Sequence, residues 1–175
     1  MNDKFFELPI EKQNRIINAA YKVFSQNSYK KAPMSEIADE SGISKALLFH
    51  YFTNKLELYL YLWNKSVEQI HEASLQYAIV DTSDFFEILH RSLLAKCSVV
   101  RDYPCLFQFS SNAYYEQEPK LVQYGKKART ERRKPGVAFY GCSRLPYMSF
   151  SKYCKVEKRT IFRFLEMSMC CFAFL

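Results

Sequence analysis

The segment APMSEIADESGISKALLFHYFTNK, residues 32–55, constrains the fold most, because it holds two short helical patterns on either side of one glycine. In the first pattern, Ile37 and Ala38 form the apolar side. Gly42 can adopt the left-handed conformation that ends a helix without Cβ strain, and Ser44 is a good N-cap for the next helix. Two short helices around a glycine-containing turn predict a helix-turn-helix.

The second of these helices is apolar on two sides. At about 100° per residue, Leu48, Tyr51 and Phe52 share one side of the helix. The opposite side carries Ala46, Leu47, Phe49 and His50. Lys45 and Lys55 flank this outer side, where the phosphates of a DNA duplex would lie, so the pattern predicts a helix that contacts DNA bases. The alternative is that the outer apolar side chains pack against another helix or another protein.

A longer amphipathic helix precedes this segment. Apolar residues recur at helical spacing in PIEKQNRIINAAYKVFSQNSY, at Ile16, Ala20, Val23 and Phe24. Pro9 suits the beginning of this helix and Asn27 its end. The whole chain of 175 residues holds only 4 Gly and 6 Pro, which favours helices, and its 49% hydrophobic content is enough to bury a core.

The order of these features resembles the TetR family of bacterial one-component transcriptional regulators, over residues 10–62 and more diffusely to about residue 134. The resemblance rests on Ile37-Ala38, Gly42-Ile43-Ser44-Lys45, Tyr51-Phe52 and Asn54-Lys55. It implies an all-α chain with a three-helix helix-turn-helix domain at residues 1–53 and a helical ligand-binding and dimerisation domain at residues 54–175. It also implies a homodimer that represses transcription on double-stranded operator DNA until a small-molecule effector releases it.

The predicted DNA-binding residues are Ser35, Ser44, Lys45, Ala46, Leu47, Phe49, His50 and Lys55. The chain departs from the family pattern at the start of the second helix, where Ala32-Pro33-Met34 replaces a Ser or Thr that caps the helix and reaches phosphate. Phe49 stands where the family often has Tyr, and Leu47 where it often has a small polar residue. Base recognition is therefore expected to be more apolar than is usual in the family.

The remainder of the chain continues as helices. Asn54 can cap a helix over residues 56–79, with Glu57 completing a capping box. A stripe at helical spacing predicts the next helix and comprises Phe86, Leu89, Leu93, Cys97 and Val100. The residues expected to line the pocket of an apolar or aromatic effector are Trp63, Phe85, Phe107, Phe109, Tyr114 and Tyr115. Core packing is the alternative role for each of these aromatic side chains.

The charge distribution and the residues that could bind a metal or catalyse a reaction narrow the possible functions further. The net charge is +7, but residues 1–125 carry 13 basic and 15 acidic groups, so charge alone does not locate a DNA-binding surface. Six cysteines without a C-x-x-C pair and three widely spaced histidines predict reduced thiols, no metal site and no cofactor. We find no nucleophile–base pair or phosphate loop that would predict an enzyme. A helical protein-binding adaptor without DNA-binding activity remains the alternative function.

The two ends of the chain lead to separate expectations. The N-terminus lacks an apolar signal-peptide centre, and no run reaches the roughly 18 apolar residues that span a bilayer, so we expect a cytoplasmic protein without membrane contact. Residues 135–175 lose clear periodicity and hold four of the six cysteines. The family usually ends in two long antiparallel helices. We therefore interpret this tail as atypical, the product of a frameshift or truncation, with one helix at about residues 155–174.

Overall fold

In residues 2–122, the part of the chain that the computed structural model describes, the chain runs through six α-helices and enters a further helical stretch at residues 119–122. The six are α1 (Ile10–Gln26), α2 (Met34–Ser41), α3 (Lys45–Tyr51), α4 (Lys55–Gln76), α5 (Phe85–Asp102) and α6 (Leu106–Tyr115). The predicted all-α class is confirmed for this part of the chain. None of the described helices is long and apolar enough to cross a membrane. The predicted atypical tail at residues 135–175 lies outside the described residues.

The first two helices follow the sequence pattern closely. The predicted stripe of α1 is buried at all four positions, Ile16, Ala20, Val23 and Phe24. Helix α2 packs on α1 and buries Ile37 and Ala38, as predicted. An ion pair of 2.7 Å between Lys22 Nζ and Glu40 Oε1 links the exposed sides of the two helices.

Helix α4 is shorter than the sequence predicted. It begins as expected, with the Asn54 side chain accepting the Glu57 N–H at 2.9 Å, but it ends at Gln76 instead of continuing to residue 79. Ala78 then has a left-handed φ of 48°, which is unfavourable for a residue with a Cβ. Arg91 of α5 donates to the Ala78 carbonyl at 2.8 Å. This tertiary hydrogen bond stabilises a chain reversal at a place where the sequence contains no Gly or Pro.

Helix α5 forms where it was predicted, but its buried side is different. The buried residues are Ile88, Ala95 and Val99. Three members of the predicted stripe are exposed: Phe86 at 76%, Leu93 at 38%, and Cys97. Because α5 carries apolar residues on more than one side, its periodicity predicted a helix correctly without identifying the side that the rest of the protein covers.

Helix α6 packs directly against α1, so the core of the first three helices continues into the remainder of the described chain. The Asn112 side chain donates to the Ser25 carbonyl at 2.7 Å. The Glu116 carboxylate accepts the Tyr29 N–H at 3.0 Å, which ties the loop between α1 and α2 to the end of α6. The division into domains at residues 53 and 54 stays a prediction.

Candidate nucleic-acid interface

The turn between α2 and α3 sets the direction of α3. Gly42 adopts the predicted left-handed conformation, with a φ of 66°, and ends α2. The Ile43 N–H donates back to the Ala38 carbonyl at 3.0 Å. Ser44 then caps α3 as predicted, since its Oγ accepts the Leu47 N–H at 3.1 Å. The Ser44 O–H stays able to donate to an oxygen outside the protein.

The two sides of α3 differ in exposure as the sequence predicted. Leu48 is 0% exposed, Tyr51 7% and Phe52 0%, so one side is fixed in the core. Leu47 is 37% exposed and Phe49 39%. Ala46 and His50 are exposed on this outer side too. The outer side of α3 therefore exposes apolar surface together with a hydrogen-bonding imidazole.

Exposed polar groups lie at the beginnings of the two short helices. Lys45 is the first residue of α3, and Ser35 is the second residue of α2; both are exposed. The N-cap of α2 is Pro33, which has no side-chain acceptor, so the expected loss of a capping hydroxyl is confirmed. Ser35 is thus the hydroxyl closest in sequence to the start of α2.

Lys55 does not project freely into solvent. Its ammonium lies 5.0 Å from the centre of the Tyr29 ring and donates to the Lys30 carbonyl at 3.3 Å. Burial lowers the pKa of Lys55 from its ordinary value. The side chain is thereby held against the loop between α1 and α2, which restricts the positions at which it can meet a phosphate.

This loop contributes basic residues that the sequence interpretation missed. Lys30 and Lys31 are both exposed, and the Lys30 backbone is in contact with Lys55. The adjacent lysines immediately before α2 were the available signal. They became relevant only when the fold placed Lys55 beside them.

The N-terminal segment is a second feature that the sequence interpretation missed. Residues Asp3–Phe5 form a 3-10 turn, and Phe5 is completely buried with its ring centre 4.9 Å from that of Phe52. The Asn2 side chain approaches His50 on the exposed side of α3, with 3.3 Å between Nδ2 and Nε2. The pair of phenylalanines at positions 5 and 6 was the available signal that this segment docks.

The six predicted effector residues have different environments. Phe109 is completely buried, and its ring centre lies 5.1 Å from those of both Tyr21 and Tyr59. Trp63, Phe85, Phe107 and Tyr114 are partly buried, whereas Tyr115 is 66% exposed. The described ring contacts do not by themselves join the six into one pocket wall, so the effector site stays a prediction. Phe109 is a core residue in this structure.

Within residues 2–122, no group of three or more His, Cys, Asp or Glu side chains could hold a metal ion. The two cysteines in this part of the chain, Cys97 and Cys105, are free thiols.

Comparison with known proteins agrees with this geometry. The sequence model described as "Bacterial regulatory proteins, tetR family" matches residues 16–62, which run from α1 into α4. The HTH-type transcriptional activator FasR of Mycolicibacterium smegmatis (strain ATCC 700084 / mc(2)155) is 36% identical over 118 residues, covering 67% of this chain and 53% of FasR. The HTH-type transcriptional regulator HbdR of Aromatoleum sp. (strain CIB) is 30% identical over 125 residues, covering 70% of this chain and 54% of HbdR. The chain therefore spans about half the length of these curated relatives.

A solved structure supports the same fold. The crystal structure of a TetR family transcriptional regulator from Chloroflexus aurantiacus J-10-FL matches with a TM-score of 0.56, covering 98% of this chain and 95% of that one. The two sequences are 21% identical. At that identity the likeness concerns the fold and not the ligand.

Proposed function

The chain belongs to the TetR family of bacterial transcriptional regulators, and we propose that it binds a specific DNA duplex through the exposed side of α3. Regulators of this family are DNA-binding transcription factors and not enzymes. One observation carries the proposal: Leu47, Phe49 and His50 are exposed on a helix whose opposite side is anchored in the core. We place this activity in the cytoplasm, where bacterial DNA lies.

The outer side of α3 suits direct recognition of bases in a major groove. An α-helix fits that groove, and the small Ala46 lets the helix backbone approach closely. Leu47 and Phe49 can contact thymine methyl groups, which are the apolar feature of the groove. His50 can donate a hydrogen bond to a base edge. This set would select thymine-containing steps more by apolar contact than by paired hydrogen bonds.

Phosphate contacts would come from the edges of the same surface. Ser35, Ser44 and Lys45 are exposed near the beginnings of α2 and α3, where hydroxyl, ammonium and backbone N–H groups suit phosphate oxygens. Lys55 supplies a further positive charge, held in place by Tyr29 and the Lys30 carbonyl. Such contacts fix the position of the protein on the duplex without selecting sequence.

Fluorescence anisotropy with a labelled duplex from the gene's own upstream region tests this proposal. We expect His50→Ala to cost about 1–3 kcal/mol of binding free energy and to change base preference. Lys55→Ala should weaken all duplexes alike and lower the salt slope by about 0.9. Lys65→Ala is the matched control, because Lys65 lies ten residues further along α4, about 15 Å away. Unchanged affinity and salt slope in the Lys55 variant would contradict this docking mode.

The same assay separates DNA binding from the adaptor function. If α3 contacts a protein instead, Leu47→Ser and Phe49→Ser should leave the affinity for every duplex unchanged. If α3 contacts DNA, both should weaken binding most strongly to duplexes rich in thymine. Both positions are already more than one-third exposed, so these replacements remove little core packing.

We further propose that the chain is a homodimeric repressor released by a small apolar or aromatic effector. Two copies would place their α3 helices in major grooves about 34–36 Å apart, or a multiple of that, so the operator should be a palindrome or near-palindrome. An effector acts only through different affinities for two arrangements of the protein. Two hydrogen bonds support a coupling between α6 and the first helices, from Asn112 to Ser25 and from Tyr29 to Glu116, since they tie α6 to the C-terminal end of α1 and to the loop that follows it.

A panel of apolar and aromatic compounds tests the effector proposal. A true effector should raise the midpoint of thermal unfolding and lower operator affinity in the same concentration range. Trp63, the one tryptophan in the chain, offers a fluorescence signal for its binding. A reporter gene decides the direction of regulation, because FasR carries the name of an activator. Rising expression upon deletion of the gene would support repression, and falling expression would contradict it.

A further inference from the structure

The N-terminal segment holds Asn2 at the end of α3 through contacts that do not involve the Asn2 side chain. The Asn2 N–H donates to the Tyr51 carbonyl at 3.0 Å. Three residues later, the completely buried Phe5 ring packs against Phe52 and, with centres 5.7 Å apart, against Tyr61. The Asn2 side chain is therefore presented to the exposed surface of α3 from an anchored backbone.

The orientation of the Asn2 amide follows from its second hydrogen bond. Its Oδ1 accepts the Lys4 N–H at 3.1 Å and so caps the 3-10 turn. The oxygen is thereby assigned, and the group facing His50 Nε2 at 3.3 Å is Nδ2. An amide nitrogen only donates, so His50 Nε2 must accept. A neutral imidazole carries one N–H, and that proton must then lie on Nδ1.

We propose that Asn2 is a positioning residue that fixes the tautomer of His50 and thereby makes His50 a hydrogen-bond donor on the DNA-binding surface. The inference rests on the proposed function of α3. A donating Nδ1–H pairs with guanine N7 or O6, adenine N7, thymine O4 or a phosphate oxygen. With Nε2 already occupied by Asn2, His50 does not accept from the amino groups of adenine or cytosine. Asn2 thus restricts base choice without touching DNA.

Ring nitrogen shifts from long-range ¹H–¹⁵N NMR of the untagged full chain test the tautomer directly. The measurement is made near pH 8 to compare the two neutral tautomers of the ring. His50→Gln assigns the His50 signals among the three histidines of the chain. We expect the Nδ1–H form in the wild type, whereas a free imidazole side chain in water favours the Nε2–H form.

Two replacements at Asn2 give a matched pair. Asn2→Asp keeps an oxygen that caps the Lys4 N–H but turns a second oxygen toward Nε2, which then requires an Nε2–H. We expect it to invert the tautomer. Asn2→Ala should release the ring to the mixture found in water. Far-UV circular dichroism and the unfolding midpoint check that Phe5 still holds the segment in both variants.

Operator duplexes with single base changes provide the second measurement. Losing one neutral hydrogen bond should reduce discrimination by roughly 2- to 12-fold, at the same base position for Asn2→Asp as for His50→Gln. The Nε2–H form in the wild type, or an unchanged tautomer in Asn2→Asp, would overturn the proposal. So would an inverted tautomer without any change in base preference. If the wild type binds no duplex at all, the proposed function fails, and the role of Asn2 in DNA binding fails with it. The ring nitrogen shifts would still show whether Asn2 fixes the tautomer of His50.

Discussion

Phe109 offers the sharpest test of whether the first three helices and the following helices unfold together. Its side chain comes from α6 and is completely buried against Tyr21 and Phe24 of α1 and Tyr59 of α4. The three ring centres lie 5.1, 6.2 and 5.1 Å away in tilted or edge-on arrangements. One side chain therefore joins elements on both sides of the predicted division at residues 53 and 54.

Replacing Phe109 by Ala should lower the free energy of unfolding by about 3–5 kcal/mol. This is the usual cost for a buried Phe and combines lost transfer free energy with a residual cavity. The three ring contacts, worth about 0.5–1.5 kcal/mol each beyond burial, favour the upper part of that range. Natural domains are stable by only about 5–15 kcal/mol, so the loss should be large relative to the total.

Urea unfolding of the full chain, followed by far-UV circular dichroism and Trp63 fluorescence, measures this loss. Tyr115→Ala on the same helix is the control, because Tyr115 is 66% exposed and its removal should change stability by no more than about 0.5 kcal/mol. Native-state hydrogen exchange then locates the effect. If the core is one cooperative unit, amides in α1 and α2 lose protection along with those in α5 and α6.

The reasoning would be refuted if the Phe109 variant kept wild-type protection in α1, α2 and α3 while α5 and α6 became unprotected. That pattern would mean that the helix-turn-helix domain is stable by itself and that the continuous core seen here adds little to it.

Three further predictions address other features of the structure. Gly42→Ala should lower the free energy of unfolding in urea by about 1–2 kcal/mol; a Cβ there meets nothing within 4 Å, so the loss comes only from the strained left-handed φ. Gly42→Asn should lower it by less, and equal losses would contradict this explanation. Burial raises the pKa of Tyr21, whose O–H donates to the Leu62 carbonyl at 3.0 Å. Above about pH 10 the unfolded chain loses the Tyr21 hydroxyl proton before the folded chain does, so the free energy of unfolding should fall as pH rises. Tyr21→Phe should reduce that fall while lowering the free energy of unfolding by about 1 kcal/mol at neutral pH. Sedimentation at micromolar concentration should show a dimer, and a monomer that persists on operator DNA would end the dimeric model.

Local chemistry was sufficient to predict the helix-turn-helix. The turn at Gly42 needs a residue without Cβ strain, and Ser44 and Asn54 each cap the helix that follows them with their own side chains. These interactions span at most a few residues, so their signals lie side by side in the sequence. The two sides of α3 could also be assigned, because helical geometry fixes which residues point together.

Contacts between distant residues decided the remainder. Helix α4 ends at Gln76, and Arg91 of α5 donates to the Ala78 carbonyl in the chain reversal that follows. Helix α5 buries Ile88 instead of Phe86. Periodicity gives the angle between side chains, but when a helix is apolar on more than one side it does not say which side a neighbour will cover. Asn2 and His50 are 48 residues apart. The buried Phe5 and the hydrogen bond from the Asn2 N–H to the Tyr51 carbonyl place the N-terminal segment at the end of α3. This packing of separate elements is information that no local pattern contains.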